Sequence, residues 1–375
     1  ACQYKNKHFC SQFFGKTPGA LFVNVLIPAE SDGKLLEIEI ENPYKDADVE
    51  KEKQLLMCPA HREAARKAAA HSFVLLKNEG ILPVSPNKKT AFIGPYVNEK
   101  HLLSTWAFTG DADECVTIQE AAEEVFDKVG TSYLEGCPML DPEYSEKQLR
   151  RKINQESYSY EMIEEMKAQA CKKAAEADVV IMPLGEYYLL SGEATSRGML
   201  DLPEVQLELL EAVTKVNPNV AVLVFSGRPL DLRKVSKLAK AVLEVWLPGT
   251  EGGHAIVDVL TGKVNPSGKL PMSFPYCVGQ IPVYYNKKAP RNHDYVEMSS
   301  FPLYSFGYGM SYTTFEYSDL QVVQKSARCF EVSFKVKNTG KYDGEEVSQL
   351  YMRDEYASVV QPMKQLKHFE RFHLK

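Results

Sequence analysis

The 375-residue chain lacks any apolar run approaching the ~20 residues that a helix needs to span a bilayer. Its first residues lack the basic-then-apolar layout of a secretory leader. It has no block of lysine and arginine; net charge is −6 with both signs mixed along the chain. That excludes the basic groove of a nucleic-acid binder and favours a neutral or polar small substrate over a polyanion. Glycine-rich phosphate loops are missing too. Neither Ile93-Gly94-Pro95 nor Leu247-Pro248-Gly249-Thr250-Glu251-Gly252-Gly253 has the spacing that cradles a nucleotide. The eight cysteines stand singly, with no CxxC pair. Cys2, His8 and Cys10 fall short of the four ligands of structural zinc. Unpatterned thiols in a chain of this length point to a reducing, cytoplasmic setting, with a secreted or periplasmic one as the alternative for a longer precursor, and with no metal and no cofactor.

What is present is an ordinary globular composition, 44% hydrophobic and 25% charged, long enough for two or three domains. Residues 1–57 read as a remnant or connector, with Leu36-Glu37-Ile38-Glu39-Ile40-Glu41 alternating like a strand with one wet face. Over 58–264 helices and apolar strands alternate. His61 to Ser72 is a helix running into Phe73-Val74-Leu75-Leu76 and stopping at Asn78-Glu79-Gly80. Strands follow at 90–94, 179–184, 220–225 and 241–246, with helices at 118–128, 162–177, from Pro203, 230–240 and 252–260. Continuous apolar strands separated by helices predict an α/β fold, a doubly wound and mostly parallel sheet covered on both faces. Ligands of such sheets sit at the carboxyl ends of strands, here the loops after Gly94, Leu184, Phe225 and Leu247. A proline-rich linker spans 265–304. Over 305–375 short alternating strands at 329–336 and 347–352 read as a partial β-sandwich.

The loop after the 179–184 strand reads Gly185-Glu186-Tyr187-Tyr188-Leu189-Leu190-Ser191-Gly192-Glu193-Ala194-Thr195-Ser196-Arg197. Glycoside hydrolysis needs a carboxylic acid to protonate the leaving oxygen, and Glu193 is flanked by small residues that let its carboxyl reach outward. A solvated loop with a local Glu–Arg pair has the same composition.

Several motifs resemble glycoside hydrolase family 3. Ser191 to Arg197 is similar to the family's acid/base loop. Leu202-Pro203-Glu204-Val205-Gln206, Ser226-Gly227-Arg228-Pro229-Leu230, Trp246 to Gly253 and Asn265-Pro266-Ser267-Gly268-Lys269-Leu270-Pro271 follow in the family's order. Phe306 to Phe315 resembles the entry to its fibronectin-III-like domain. The resemblance covers roughly 41–375 and implies a β-glucosidase-type hydrolase acting on a β-glucoside or oligosaccharide by a retaining mechanism. It makes Glu193 the acid/base, with Glu186 second and otherwise a brace for the loop. Trp106, Tyr187 and Arg197 become substrate-binding candidates. Tyr187 serves equally as packing under the loop, and Arg197 is expected to point away from Glu193, because a cation beside an acid depresses its pKa. His254 is expected to cap or pack.

The same resemblance puts the nucleophile, an aspartate, on a (β/α)₈ barrel of ~250 residues. Asp32, in Ser31-Asp32-Gly33, lies too close to the barrel-exit-like Asn42-Pro43-Tyr44 for that role. Three expectations follow: a fragment, one half of a split enzyme completed by a separate barrel chain, or a non-catalytic carbohydrate-binding descendant inactive on its own; a homo-oligomer is the other partner expected.

Overall fold

The computed structural model describes residues 21–25, 36–40, 48–107, 110–144, 157–288, 294–327 and 329–375. They fall into two compact units divided between His61 and Arg62. Cys2, His8, Cys10, Asp32 and Asn42-Pro43-Tyr44 lie outside the described residues.

In the first unit β1 (Leu21–Val25) pairs antiparallel with β2 (Leu36–Ile40), Val23 opposite Ile38. The acidic–apolar alternation of 36–40 thus forms a strand. Helix α1 (Val49–Leu55) follows, its first turn held by the Asp48 carboxylate, which accepts the N–H groups of Glu50 and Lys51 at 3.0 Å.

The second unit is built on a six-stranded sheet. Its strands are β3 (Val74–Asn78), β4 (Thr90–Ile93), β5 (Thr131–Leu134), β6 (Val179–Gly185), β7 (Val220–Phe225) and β8 (Ala241–Glu244), in the order β3-β8-β7-β6-β4-β5. All pairings are parallel except that of β3 with β8. Strands β6 and β7 are buried along their whole length, as their unbroken apolar sequences require. Side chains alternate between two cores. Phe92, Ile181, Leu223 and Leu243 pack on one face, and Ile93, Met182, Val222 and Val242 on the other. The first face is covered by α3 (Ile118–Glu123) and α7 (Gly252–Leu260), the second by α4 (Tyr160–Glu176), α5 (Glu204–Val216) and α6 (Arg233–Leu238).

Phe73 to Leu76 does not prolong α2 (Pro59–Ser72); Val74 and Leu76 enter one core while Leu75 enters the other, a two-sided burial that only a strand provides. Helix α3 ends at Glu123, five residues short of the expected Lys128. Strand β5, only half-buried at the sheet edge, has too little apolar patterning to stand out.

In the linker stretch, Leu270 and Phe274 are buried in the second core. Beyond it, β9 (Phe315–Ser326) pairs antiparallel with β10 (Cys329–Asn338), and β11 (Gly344–Met352) with β12 (Gln365–Leu374). The sequence shows β10 and β11 clearly. Strands β9 and β12 carry charges such as Asp319, Lys367 and Glu370 that blur their alternation. No helix among the described residues is long and apolar enough to cross a membrane.

Candidate functional site

The chain leaves β4 to form β5 on one side and returns to form β6 on the other. The loops after β4 and β6 therefore diverge from adjacent strands at a switch point, where doubly wound sheets hold ligands. Gly94 ends the first strand; a Cβ there would lie 2.3 Å from the Pro183 carbonyl oxygen. Gly185 ends the second, and a Cβ there would lie 2.3 Å from the Phe225 carbonyl oxygen. Buried Gln206 fastens this strand end. Its Oε1 accepts the Gly185 N–H at 2.8 Å, and its Nε2 donates to the carbonyls of Gly185 (3.0 Å) and Met139 (2.8 Å).

The next residue, Glu186, is 1% exposed. Arg197 Nη1 donates to its Oε1 at 3.0 Å, and Arg228 Nε makes an ion pair with the same oxygen at 3.1 Å. Both guanidiniums also hold loop carbonyls. Arg197 Nη2 donates to the Asp201 carbonyl at 2.9 Å, and Arg228 Nη2 to those of Leu190 and of Thr195, the latter at 3.0 Å. Glu186 is thus the buried hub on which the 186–201 loop is wound. Its own carbonyl accepts the Tyr96 hydroxyl.

The chain then rises to the surface. Tyr187 is 3% exposed, packed in the first core; of its two readings the geometry gives the packing one, since neither ring face is open. Tyr188 is half-buried and stacks on His101. The Thr105 hydroxyl donates to the Ser191 carbonyl at 2.9 Å, and Gly192 lies so close that a Cβ would meet Thr105 Oγ1 at 2.1 Å. Gly192 (φ 134°) and Ala194 (φ 59°) both take positive φ, turning the backbone so that Glu193 sits exposed at the loop tip. Trp106, from the neighbouring loop, is 55% exposed. Arg197 is directed down onto Glu186, with its side chain 12% exposed. His254 Nδ1 bonds Glu251 Oε2 at 2.7 Å at the start of α7, away from this loop in sequence.

Three residues without a role in the sequence reading matter here. Arg228 stands inside the Ser226-Gly227-Arg228 turn, where a Cβ on Gly227 would lie 2.0 Å from Ser191 Oγ. Glu244 ends β8, fully buried, with its Oε1 accepting the Ser226 hydroxyl and the Trp246 N–H at 3.0 Å each. Burial pushes the Glu244 carboxyl well above the ordinary carboxylate range, and the Glu186 charge adds to it. A lone acid closing an apolar strand was the available signal. His101 is the third. Its Nδ1 bonds Glu99 Oε1 at 2.7 Å, and that bond raises the imidazole pKa above its usual value.

Residues 73–312 match the family described as glycosyl hydrolase family 3 C-terminal domain, and 346–375 a fibronectin type III-like domain. Periplasmic β-glucosidase of Salmonella typhimurium is 37% identical over 333 residues, 84% of this chain and 43% of that protein. Thermostable β-glucosidase B of Acetivibrio thermocellus is 34% identical over 382 residues, 95% of this chain and 46% of that protein. A variant β-glucosidase from Listeria innocua, solved in complex with laminaribiose, superposes with a TM-score of 0.78 at 32% identity, covering 89% of this chain and 45% of that one. The chain spans less than half the length of these relatives.

Proposed function

This chain belongs to glycosyl hydrolase family 3, and from that premise we propose that it supplies the acid/base half of a retaining β-glucosidase-type site, with Glu193 as the residue that moves the proton. The observation that carries the reading is the division of labour between two glutamates in one loop. Glu186 is 1% exposed and committed to two arginines, whereas Glu193 is exposed at the tip beyond the carboxyl end of β6. A general acid must come within hydrogen-bond reach of the leaving oxygen; only the tip offers that access.

In this reading Glu193 protonates the glycosidic oxygen as the bond to the sugar breaks, and a second carboxylate captures the sugar as a glycosyl-enzyme. Glu193 then takes a proton from the water that releases it. The second carboxylate is the aspartate that the family resemblance places on a barrel, supplied by another chain or by further residues of the same polypeptide. Trp106 offers an exposed ring beside the loop for a sugar face. The substrate class, a β-glucoside or oligosaccharide, is supported by the relatives' names.

The test is release of p-nitrophenol from a β-glucoside by the chain assembled with a nucleophile-bearing barrel. Glu193→Gln should slow turnover by ~10²–10⁴-fold. Undiminished turnover removes Glu193 from the role.

A further inference from the structure

The loop bearing Glu193 is held from the side as well as from below. Loop 94–107 touches it at two points: the Thr105 hydroxyl on the Ser191 carbonyl, and the His101 ring on Tyr188, with centroids 4.6 Å apart and planes within 8° of parallel. An open cleft of about 240 Å³ lies between the two loops, lined by His101, Ser104, Thr105, Tyr188 and Leu189 among others. The imidazole is oriented by Glu99, whose Oε1 accepts both the His101 backbone N–H and Nδ1, each at 2.7 Å. A ring fixed through one nitrogen and laid flat on a tyrosine has one face committed to the acid/base loop.

We propose that Glu99 and His101 form a positioning pair, a protonated imidazole clamped onto Tyr188 that holds the Glu193 loop in place and releases it when His101 loses its proton. The proposal adds regulation to the acid/base reading and rests on that reading only for its catalytic consequence. A charged ring stacked on an aromatic face is held by the ring quadrupole as well as by dispersion; a neutral one keeps only the latter. The groups around the imidazole favour the charged form. Glu99 bonds it, and Asp113 adds a second negative charge, while burial works against both. Lys100, the neighbouring cation, is turned away, its Nζ donating to the Asp113 and Cys115 carbonyls and pairing with Glu120 at 3.3 Å. The β6 loop presents Tyr188 itself to the ring. Because the imidazole's folded-state pKa is raised and the Glu99 carboxyl's lowered, the clamp is complete between the two titrations and is lost as pH rises through the imidazole's value.

The full 375-residue chain is the sample, with histidine-selective NMR to follow the His101 ring and hydrogen exchange to follow the amides of 188–192. The His101 ring should titrate above the usual ~6.5, and Glu99→Gln should lower that midpoint. Loop protection, corrected for intrinsic exchange, should fall about two- to fivefold across the titration, as the strength of an exposed cation–π contact implies. His101→Phe, which keeps the stack without the charge, should make protection independent of pH, and His101→Gln should lower it at every pH. Protection that stays level through the His101 titration, or that His101→Gln leaves unchanged, overturns the clamp. Neither readout needs turnover, so a failure of the Glu193 assignment would leave these results standing. If Glu193 is the acid/base, its own ionisation still sets the alkaline limb of the kcat–pH profile, so His101→Phe should displace that limb without removing it or abolishing activity.

Discussion

Arg197 Nη1 lies 3.0 Å from Glu186 Oε1, and the glutamate is 1% exposed. This contact joins the end of β6 to the far side of the loop that begins there, so that the exposed Glu193 stands between two fixed posts. With Arg228 on the same carboxylate oxygen at 3.1 Å, the hub carries two cations on one anion.

Removing the anion should therefore be costly. Glu186→Ala leaves two guanidiniums facing each other in a partly buried space, and breaking such a pair costs ~3–5 kcal/mol. Urea unfolding should show a loss of that size, with loop 186–201 the first segment to exchange. A loss below ~1 kcal/mol would mean that water replaces the carboxylate and the hub does not hold the loop.

Gly192 should tolerate no side chain. Its φ of 134° is unfavourable for any L-residue, and a Cβ would meet Thr105 Oγ1 at 2.1 Å. Gly192→Ala should destabilise by ~1–3 kcal/mol and break the Thr105–Ser191 hydrogen bond, visible as faster exchange in the loop. The double variant Gly192→Ala/Thr105→Ala should recover the steric part and leave the backbone part.

Glu244 gives stability a pH dependence of definite sign. Burial raises its folded-state pKa well above the ordinary 4.5, so the folded chain keeps a proton that the unfolded chain releases. Its stabilising contribution is whole below about pH 4.5 and is lost as pH rises toward the folded value. In urea titrations from pH 5 to 9, wild type should lose stability relative to Glu244→Gln as pH rises. An identical slope in the two proteins would show that the carboxyl is ionised or hydrated in the fold.

Trp106 is 55% exposed, so under the proposed sugar contact its loss should be felt in binding and not in stability. Trp106→Ala should change stability by no more than ~0.5 kcal/mol, while sugar affinity, measured by calorimetry on the barrel assembly, should drop. A large stability loss would make it a packing residue.

The α/β layer was legible because its strands are buried on both faces and carry no competing polar pattern; Val220–Phe225 stands in the sequence as it stands in the sheet. The edges were harder. Thr131–Leu134 is half-buried and carries threonine and serine, and Phe73–Leu76 follows an alanine-rich helix whose propensity masks the change of direction. The loop's composition pointed to both glutamates but did not separate them. What separates them in the fold is burial, in which Glu186 is held by Arg197 and by Arg228, the latter arriving from the turn after β7 about forty residues along the chain. Glu99 and His101 were unreadable for a similar reason. Their partner, Tyr188, comes from a loop that meets theirs only because strand order reverses between β4 and β6.

The central claim is that Glu193, and not Glu186, moves the proton. Azide rescue tests it most directly: the chain carrying Glu193→Ala, and separately Glu186→Ala, is assembled with the nucleophile-bearing barrel and given an activated aryl β-glucoside. Azide should restore turnover of the Glu193 variant and yield β-glucosyl azide, with no such product from the Glu186 variant. Rescue of the Glu186 variant alone, or full activity of Glu193→Ala without azide, would contradict the assignment.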